Sequence, residues 1–293
     1  MRLRTLPLSL AGVVLGILLA AADFHVGVWT AVLIMLTTVC LQILSNLSNE
    51  LGDVLRGTDA EDRVGPRYGL NSGEMTIRDM KIFIGIFVGI CIVSGLAMIR
   101  VSFGTFFSLE SILLMLLGAA AILGAMKYTL GRNPYGYRGL GDVFVFIFFG
   151  LVSVLGAYFV SAHILLSWKL LLPASAIGFF SVGVLNVNNI RDMETDARNR
   201  ITVAIRLGER RAKIYQTVLI CLGWAAMIAY TLLRFPDPWH WLYLVTLPLY
   251  VLHLAGVWKR SGKALDPMLP LLVMSTFLLS LLYGFGFVKY LLW

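Results

Sequence analysis

Long apolar runs separated by short polar segments set the architecture of this chain. By hydropathy the runs fall near residues 7–25, 28–48, 79–99, 104–126, 143–162, 169–188, 213–233, 238–257 and 268–288. Each is close to the roughly 20 residues that a helix needs to cross a bilayer. The pattern predicts an all-α, polytopic membrane bundle of about nine transmembrane helices, forming a single domain over residues 1–293. The first run follows only "MRLRT", carries no convincing cleavage site and is followed by eight more, so it reads as a retained helix. A mean hydropathy of +0.84 with 14% charged residues excludes a soluble core as the explanation.

The charges sort by side. With the N-terminus in the cytoplasm, twenty of the 24 Lys and Arg residues fall in or beside inner segments and four in outer ones. The positive-inside rule supports this orientation, which puts the C-terminus outside. The basic pI of about 9.5 then follows from topology and from attraction to anionic headgroups, and no nucleic-acid partner is implied. Cys40, Cys91 and Cys221 lie inside spans, at no metal-ligand or redox spacing, and read as apolar filler.

Against this background, "NELGDVLRGTDAED" (residues 49–62) packs five of the chain's sixteen acids into fourteen positions. A second acidic stretch, "NNIRDMETDARNR", runs from Asn188 to Arg200. The clusters follow spans two and six, so the four spans between them return the chain to the same, cytoplasmic face. Asn49 and Asp53 are four residues apart, as are Asn188, Asp192 and Asp196 in succession. If the helix continues, each set projects from one face. One such cluster reads as a solvated helix end; two with a repeated Asn-x-x-x-Asp at corresponding ends suggest a shared site. Asp192 and Asp196, one turn apart, repel each other by roughly 0.2–0.5 kcal/mol, which a bound cation reverses.

Oxygen ligands without His or Cys suit a hard cation, and magnesium takes one or two carboxylates and completes its shell with water and phosphate oxygens. His25, His163 and His240 map to outer loops or interfaces and His253 to the eighth span, which leaves no zinc site and no His-based triad near the acids. Arg56, Arg63 and Arg67 accompany the first cluster and Arg191, Arg198 and Arg200 the second. Lys127, Arg132 and Arg138 occupy the loop between spans four and five. Guanidinium forks match phosphate, although the positive-inside rule alone also places such residues there. Lys127, at the end of the fourth span beside Tyr128, stands where an idle charge is costly, which marks it as a substrate contact.

The spaced aspartates resemble the paired motifs of the UbiA superfamily of intramembrane aromatic prenyltransferases: Asn49-x-x-x-Asp53 followed by "RGTD", then Asp192-x-x-x-Asp196. Span number and placement match as well. Within that superfamily, "NLSNELGDVLRGTDAEDRVGP", "YTLGRNPYGYRGLGD", "NVNNIRDMETD" and "IRLG" are similar to the 1,4-dihydroxy-2-naphthoate prenyltransferases of menaquinone synthesis, and the resemblance covers most of the chain. Two departures stand out. Gly57 holds the position where the superfamily's general form has the next acid, leaving Asp59, Glu61 and Asp62 as candidates for the last role of the first motif. "RNRITVAIRLG" also departs from the usual Gly-Lys-Arg-Thr-Leu wording after the second.

The resemblance implies Mg2+ held by Asn49, Asp53, Asp59, Asp192 and Asp196, with Lys127, Arg63, Arg138 and Asn189 as substrate contacts. Asp53, Asp192 and Tyr128 take catalytic roles. The implied partners are polyprenyl diphosphate, 1,4-dihydroxy-2-naphthoate and the lipid bilayer. The diphosphate leaves as the allylic carbon–oxygen bond breaks, with Tyr128, Tyr135 or Tyr137 facing the cation. The naphthoate ring attacks and carbon dioxide is lost, giving demethylmenaquinone. Other aromatic acceptors, 4-hydroxybenzoate or homogentisate, are the near alternative. An ion-coupled transporter is the alternative of another class, disfavoured because the acids sit at one face and not at the midplane.

Overall fold

The structure, a computed structural model, describes residues 5–56, 69–70, 73, 75–165, 167–197, 200–234 and 237–288. Asp59, Glu61, Asp62 and Arg63 lie outside the described residues. The described chain is helical apart from turns, connecting segments and one isolated bridge between Arg138 and Ile201. Its principal helices are α1 (Leu6–Ala21), α2 (Val28–Leu55), α3 (Ile77–Phe103), α4 (Leu109–Lys127), α5 (Gly141–Ala162), α6 (Trp168–Arg191), α7 (Glu209–Leu233), α8 (Pro238–Lys259) and α9 (Gly262–Val288). Every expected span is met by one of them. Eight are long and apolar enough to cross a membrane. α1, with 16 residues, covers only about 24 Å at ~1.5 Å per residue.

Two sub-bundles result. α2 packs against α3 and α4 around Leu44, Leu51, Met80 and Ile84. α1 lies between α5 and α9, while α6 packs on α7, α5 and α9. This larger core is built on Leu15, Tyr158, Ile177, Phe180, Met227 and Tyr283, all fully or almost fully buried. α6 is the most enclosed of the long helices and can approach α5 closely because Gly150 faces Gly178: a Cβ on Gly150 would stand 2.6 Å from the Gly178 Cα. Around this crossing α5 widens into a π-helical stretch, Phe146–Val152, a departure that recurs at functional sites. It turns Phe148, Phe149 and Val152 into a cavity lined by both sub-bundles.

The glycines of the third span correct an expectation. In the sequence, Gly85, Gly89 and Gly95 offer two readings, room between helices for an isoprenoid tail and, chiefly, close helix contacts. A Cβ at any of the three would meet nothing within 4 Å. Gly85 and Gly89 are exposed on the outer flank of α3, and Gly95 lines the cavity. Glycine spacing within one helix does not reveal which face its partner takes, and here α2 packs on α3 through larger residues such as Met80 and Ile84.

Candidate active site

The site is built where α2 and α6 end. α2 continues past residue 48 to Leu55, so Asn49 and Asp53 stand on its last two turns, and Asp53 is only 3% exposed. The glycine of "NELGD" has a steric reason: a Cβ on Gly52 would fall 2.5 Å from the Thr129 Cβ. Thr129, just beyond α4, uses this approach to donate from Oγ1 to the Ser48 carbonyl (2.8 Å) and to Asn49 Oδ1 (3.2 Å).

From there the connection 128–140 folds over the mouth. The Gly136 N–H donates to the Tyr128 carbonyl, and Gly136 must be glycine because a Cβ would stand 2.7 Å from that oxygen. Tyr135 donates to the Gly124 carbonyl at 2.7 Å. Burial, and secondarily Tyr128, pushes the Tyr135 phenol above its ordinary range, so it stays a neutral donor. Tyr137 donates to Asp53 Oδ1 at 2.7 Å, while its backbone carbonyl accepts from Ile201 N–H at 3.1 Å. One tyrosine thus joins the first motif to the segment after the second.

The second motif is not one continuous helix. α6 ends at Arg191, Asp192 takes φ −95° and ψ 10°, and a short turn, Met193–Asp196, follows. The Asp196 N–H to Asp192 carbonyl bond, 2.8 Å, preserves the four-residue step. Arg191 clasps Asp192 with Nε (2.8 Å) and Nη2 (2.6 Å), donates to Asn188 Oδ1 (2.9 Å) and reaches Asp266 near the start of α9 (2.8 Å). Arg200 spans the two motifs: Nη2 lies 3.2 Å from Asp53 Oδ1 and Nε 3.4 Å from Asp196 Oδ1. Burial works against its charge, but Asp53 and Asp196 outweigh it and raise its pKa.

Beneath this mouth lies a cavity of about 860 Å3. Asn49, Asp53, Asn188, Asn189, Arg191 and Arg200 form its polar end, with Tyr128, Tyr135, Phe144 and Phe148 alongside and aliphatic side chains of α1 to α5 beyond. Tyr128 meets Tyr135 edge-on, and Tyr135 stacks on Phe144 with centroids 3.9 Å apart. The fold therefore brings together Asn49, Asp53, Tyr128, Asn189, Asp192 and Asp196. It does not bring Lys127 or Arg138 to them: both side chains are exposed and neither lines the cavity. Asp192 and Asp196 are buried behind the rim and meet it through Arg191 and Arg200. Sequence reasoning passed over Asp266, and also Gln42 and Asn46, which line the cavity from α2. Their signal is polarity on the turns of α2 preceding Asn49 and an acid at the start of α9.

The donors fit a hard divalent cation. They are oxygens from Asn49, Asp53, Asn188, Asp192 and Asp196, and a guanidinium already sits between Asp53 and Asp196. No three His, Cys, Asp or Glu side chains among the described residues make a ready cage. Magnesium takes one or two carboxylates and completes its shell with water and phosphate oxygens, and the oxygens of Asn49, Asp53, Asn188, Asp192 and Asp196 are of that kind.

A helical membrane bundle with acids and amides at one end of an apolar, aromatic-lined cavity is the build of an intramembrane enzyme acting on an amphiphile. The chain belongs to the UbiA prenyltransferase family, whose model matches residues 9–281. It is 38% identical over 288 residues to the 1,4-dihydroxy-2-naphthoate octaprenyltransferase of Escherichia coli (strain K12), covering 98% of this chain and 92% of that protein. It is likewise 38% identical over 274 residues to the Mycobacterium tuberculosis (strain ATCC 25618 / H37Rv) protein of the same name, covering 92% and 88%. Among solved structures, the apo form of a UbiA homolog from Aeropyrum pernix K1 superposes with a TM-score of 0.74 at 16% identity, covering 99% of both chains. A UbiA homolog from Archaeoglobus fulgidus bound to DMAPP and Mg2+ gives 0.62 at 15% identity, covering 98% of both.

Proposed function

We propose that this protein transfers a polyprenyl group from polyprenyl diphosphate to 1,4-dihydroxy-2-naphthoate with loss of carbon dioxide, forming demethylmenaquinone at the quinol level. The observation that carries this reading is the meeting of Asp53 and Asp196, 143 residues apart in the chain, on one guanidinium at the polar end of an apolar cavity. The relatives named as naphthoate octaprenyltransferases support the acceptor and a long isoprenoid donor.

Each methylene of an isoprenoid tail taken from water contributes about 0.8 kcal/mol, so the donor resides in lipid and its tail fills the aliphatic part of the cavity. Its diphosphate then lies at the mouth, among Asn49, Asn188, Asn189, Arg191 and Arg200. Magnesium, which Asn49, Asp53, Asp192 and Asp196 would hold, would supply charge neutralisation for the departing diphosphate. The carbon–oxygen bond breaks with its electron pair passing to the diphosphate. Tyr128, Tyr135 and Phe148 offer aromatic faces to the allylic cation, and the connection 128–140 shields it from water. The naphthoate ring donates the pair for the new carbon–carbon bond, and the pair of the carboxylate bond returns to the ring as carbon dioxide leaves.

The mouth faces the cytoplasm in this reading, with the N-terminus on the same side. Both points are tested by supplying a panel of aromatic acceptors and one labelled prenyl diphosphate to sealed membrane vesicles of each orientation. Naphthoate-dependent product is expected, formed in inside-out vesicles when acceptor and magnesium are added from outside. A preference for 4-hydroxybenzoate or homogentisate contradicts the assignment of the acceptor, and equal activity in right-side-out vesicles contradicts the orientation.

A further inference from the structure

Asp266, far from either motif in the chain, is built into the second one. The Arg191 guanidinium is buried and held along two edges. Nε and Nη2 take the two oxygens of Asp192 at 2.8 and 2.6 Å, and Nη2 also meets Asn188 Oδ1 at 2.9 Å. Nη1, on the other edge, donates to Asp266 Oδ1 at 2.8 Å. These are the lengths of charge-assisted bonds, and the guanidinium plane is fixed by acceptors on both sides. Asp192 has one further side-chain partner, Asn188 Nδ2 at 3.4 Å.

The backbone that carries Asp266 is itself anchored. The Asp266 N–H donates to the Lys263 carbonyl at 3.0 Å, and Leu265 is fully buried in a cluster with Val187 and Ile190 of α6. Two residues on, the Met268 carbonyl lies 3.0 Å from Nδ1 of the fully buried His253, whose Nε2 meets Gln216 of α7 at 3.0 Å. The Asp266 carboxylate is 31% exposed and lines the cavity, whereas its guanidinium partner is buried. A guanidinium paired with Asp192 alone would cancel its charge. Shared between two carboxylates, it leaves one negative charge over.

We propose that Asp266 is a positioning residue for the second motif: by holding Nη1 it divides Arg191 between two carboxylates, so that Arg191 orients Asp192 without cancelling its charge towards a divalent cation. The inference rests on the function proposed above. A contact that only tied α9 to α6 would change stability and leave the cation affinity of the folded protein as it was.

The test is Mn2+ binding to the full-length protein in lipid nanodiscs, by equilibrium dialysis at one fixed concentration of inorganic diphosphate, beside a melting curve for each variant. Asp266→Asn keeps an acceptor for Nη1 but loses the charge, and is expected to weaken Mn2+ binding about fivefold or more in folded protein. Asp266→Glu keeps the charge and is expected to stay within about threefold of the parent. In an Arg191→Gln background, Asp266→Asn is expected to add almost nothing, since no guanidinium is left to divide. If Asp266→Asn binds Mn2+ as the parent does, whatever its melting temperature, or if Asp266→Glu loses as much as Asp266→Asn, the positioning role is wrong and the proposed function stands. An equal loss from Asp266→Asn with and without Arg191 also overturns it, because Asp266 would then act on the cation directly. If the parent binds no Mn2+ in the presence of diphosphate, both readings fall.

Discussion

Tyr137 carries more than its place in a loop suggests. Its hydroxyl is a close donor to the buried Asp53, its backbone accepts from Ile201, and Arg56 and Arg200 lie over its ring. Hydrogen bonds to charged groups contribute roughly 1.5–3 kcal/mol. Tyr137→Phe keeps the ring and deletes only that donor, so it should lower turnover about tenfold or more and lower stability by about 1.5–3 kcal/mol, leaving a folded protein. Steady-state kinetics beside a melting curve check this, and an unchanged rate assigns Tyr137 to packing alone. At this scale the sequence was readable wherever one helix carries the spacing. Asn49 and Asp53 share a face because α2 runs unbroken beneath both. Pairs made by tertiary folding were not readable: Arg191 with Asp266 and Arg200 with Asp53 are separated by 75 and 147 residues, and no local rhythm marks them. Lys127 shows the converse: a charge at a span end reads as a substrate contact, whereas its side chain is exposed and does not line the cavity.

Among the elements, apolar run length predicted the helices well because the bilayer imposes one length on all of them. It said little about their contacts, because lipid-facing and buried residues of a membrane helix have similar chemistry. Glycine is the clearest case. Gly150 sits at the crossing of α5 and α6 against the backbone of Gly178, whereas Gly85 faces outward with open space around it. Gly150→Ala must push backbone against backbone and should destabilise by about 1–3 kcal/mol. Gly85→Ala should be neutral or stabilising by up to about 1 kcal/mol through helix propensity. Unfolding of the two variants in detergent separates them, and equal effects contradict this packing. The π-helical stretch of α5 gave no sequence signal, although it turns three side chains into the cavity. The turn at Asp192 was equally hidden, since the backbone bond from Asp196 keeps the helical spacing while the helix itself stops.

For the molecule as a whole, two sub-bundles meet along an apolar cavity whose polar end is closed by the ends of α2 and α6 and by the connection 128–140. The charge asymmetry along the sequence points to which face carries that mouth, and the fold explains how acids 143 residues apart come to share one guanidinium. Transfer should stop when EDTA is added and resume with excess magnesium. The central claim is that both motifs act together on bond ionisation, and single-turnover transfer from labelled polyprenyl diphosphate at saturating magnesium tests it most directly. Asp53→Asn and Asp192→Asn should each slow transfer by two or more orders of magnitude, about 2.7 kcal/mol or more on the transition-state scale, in protein that remains folded. Asp237→Asn, which alters a cap at the start of α8 on the opposite face, should stay within a fewfold of the parent. Near-normal rates in the two motif variants, or an equal loss in the Asp237 variant, would mean that these aspartates do not form the site.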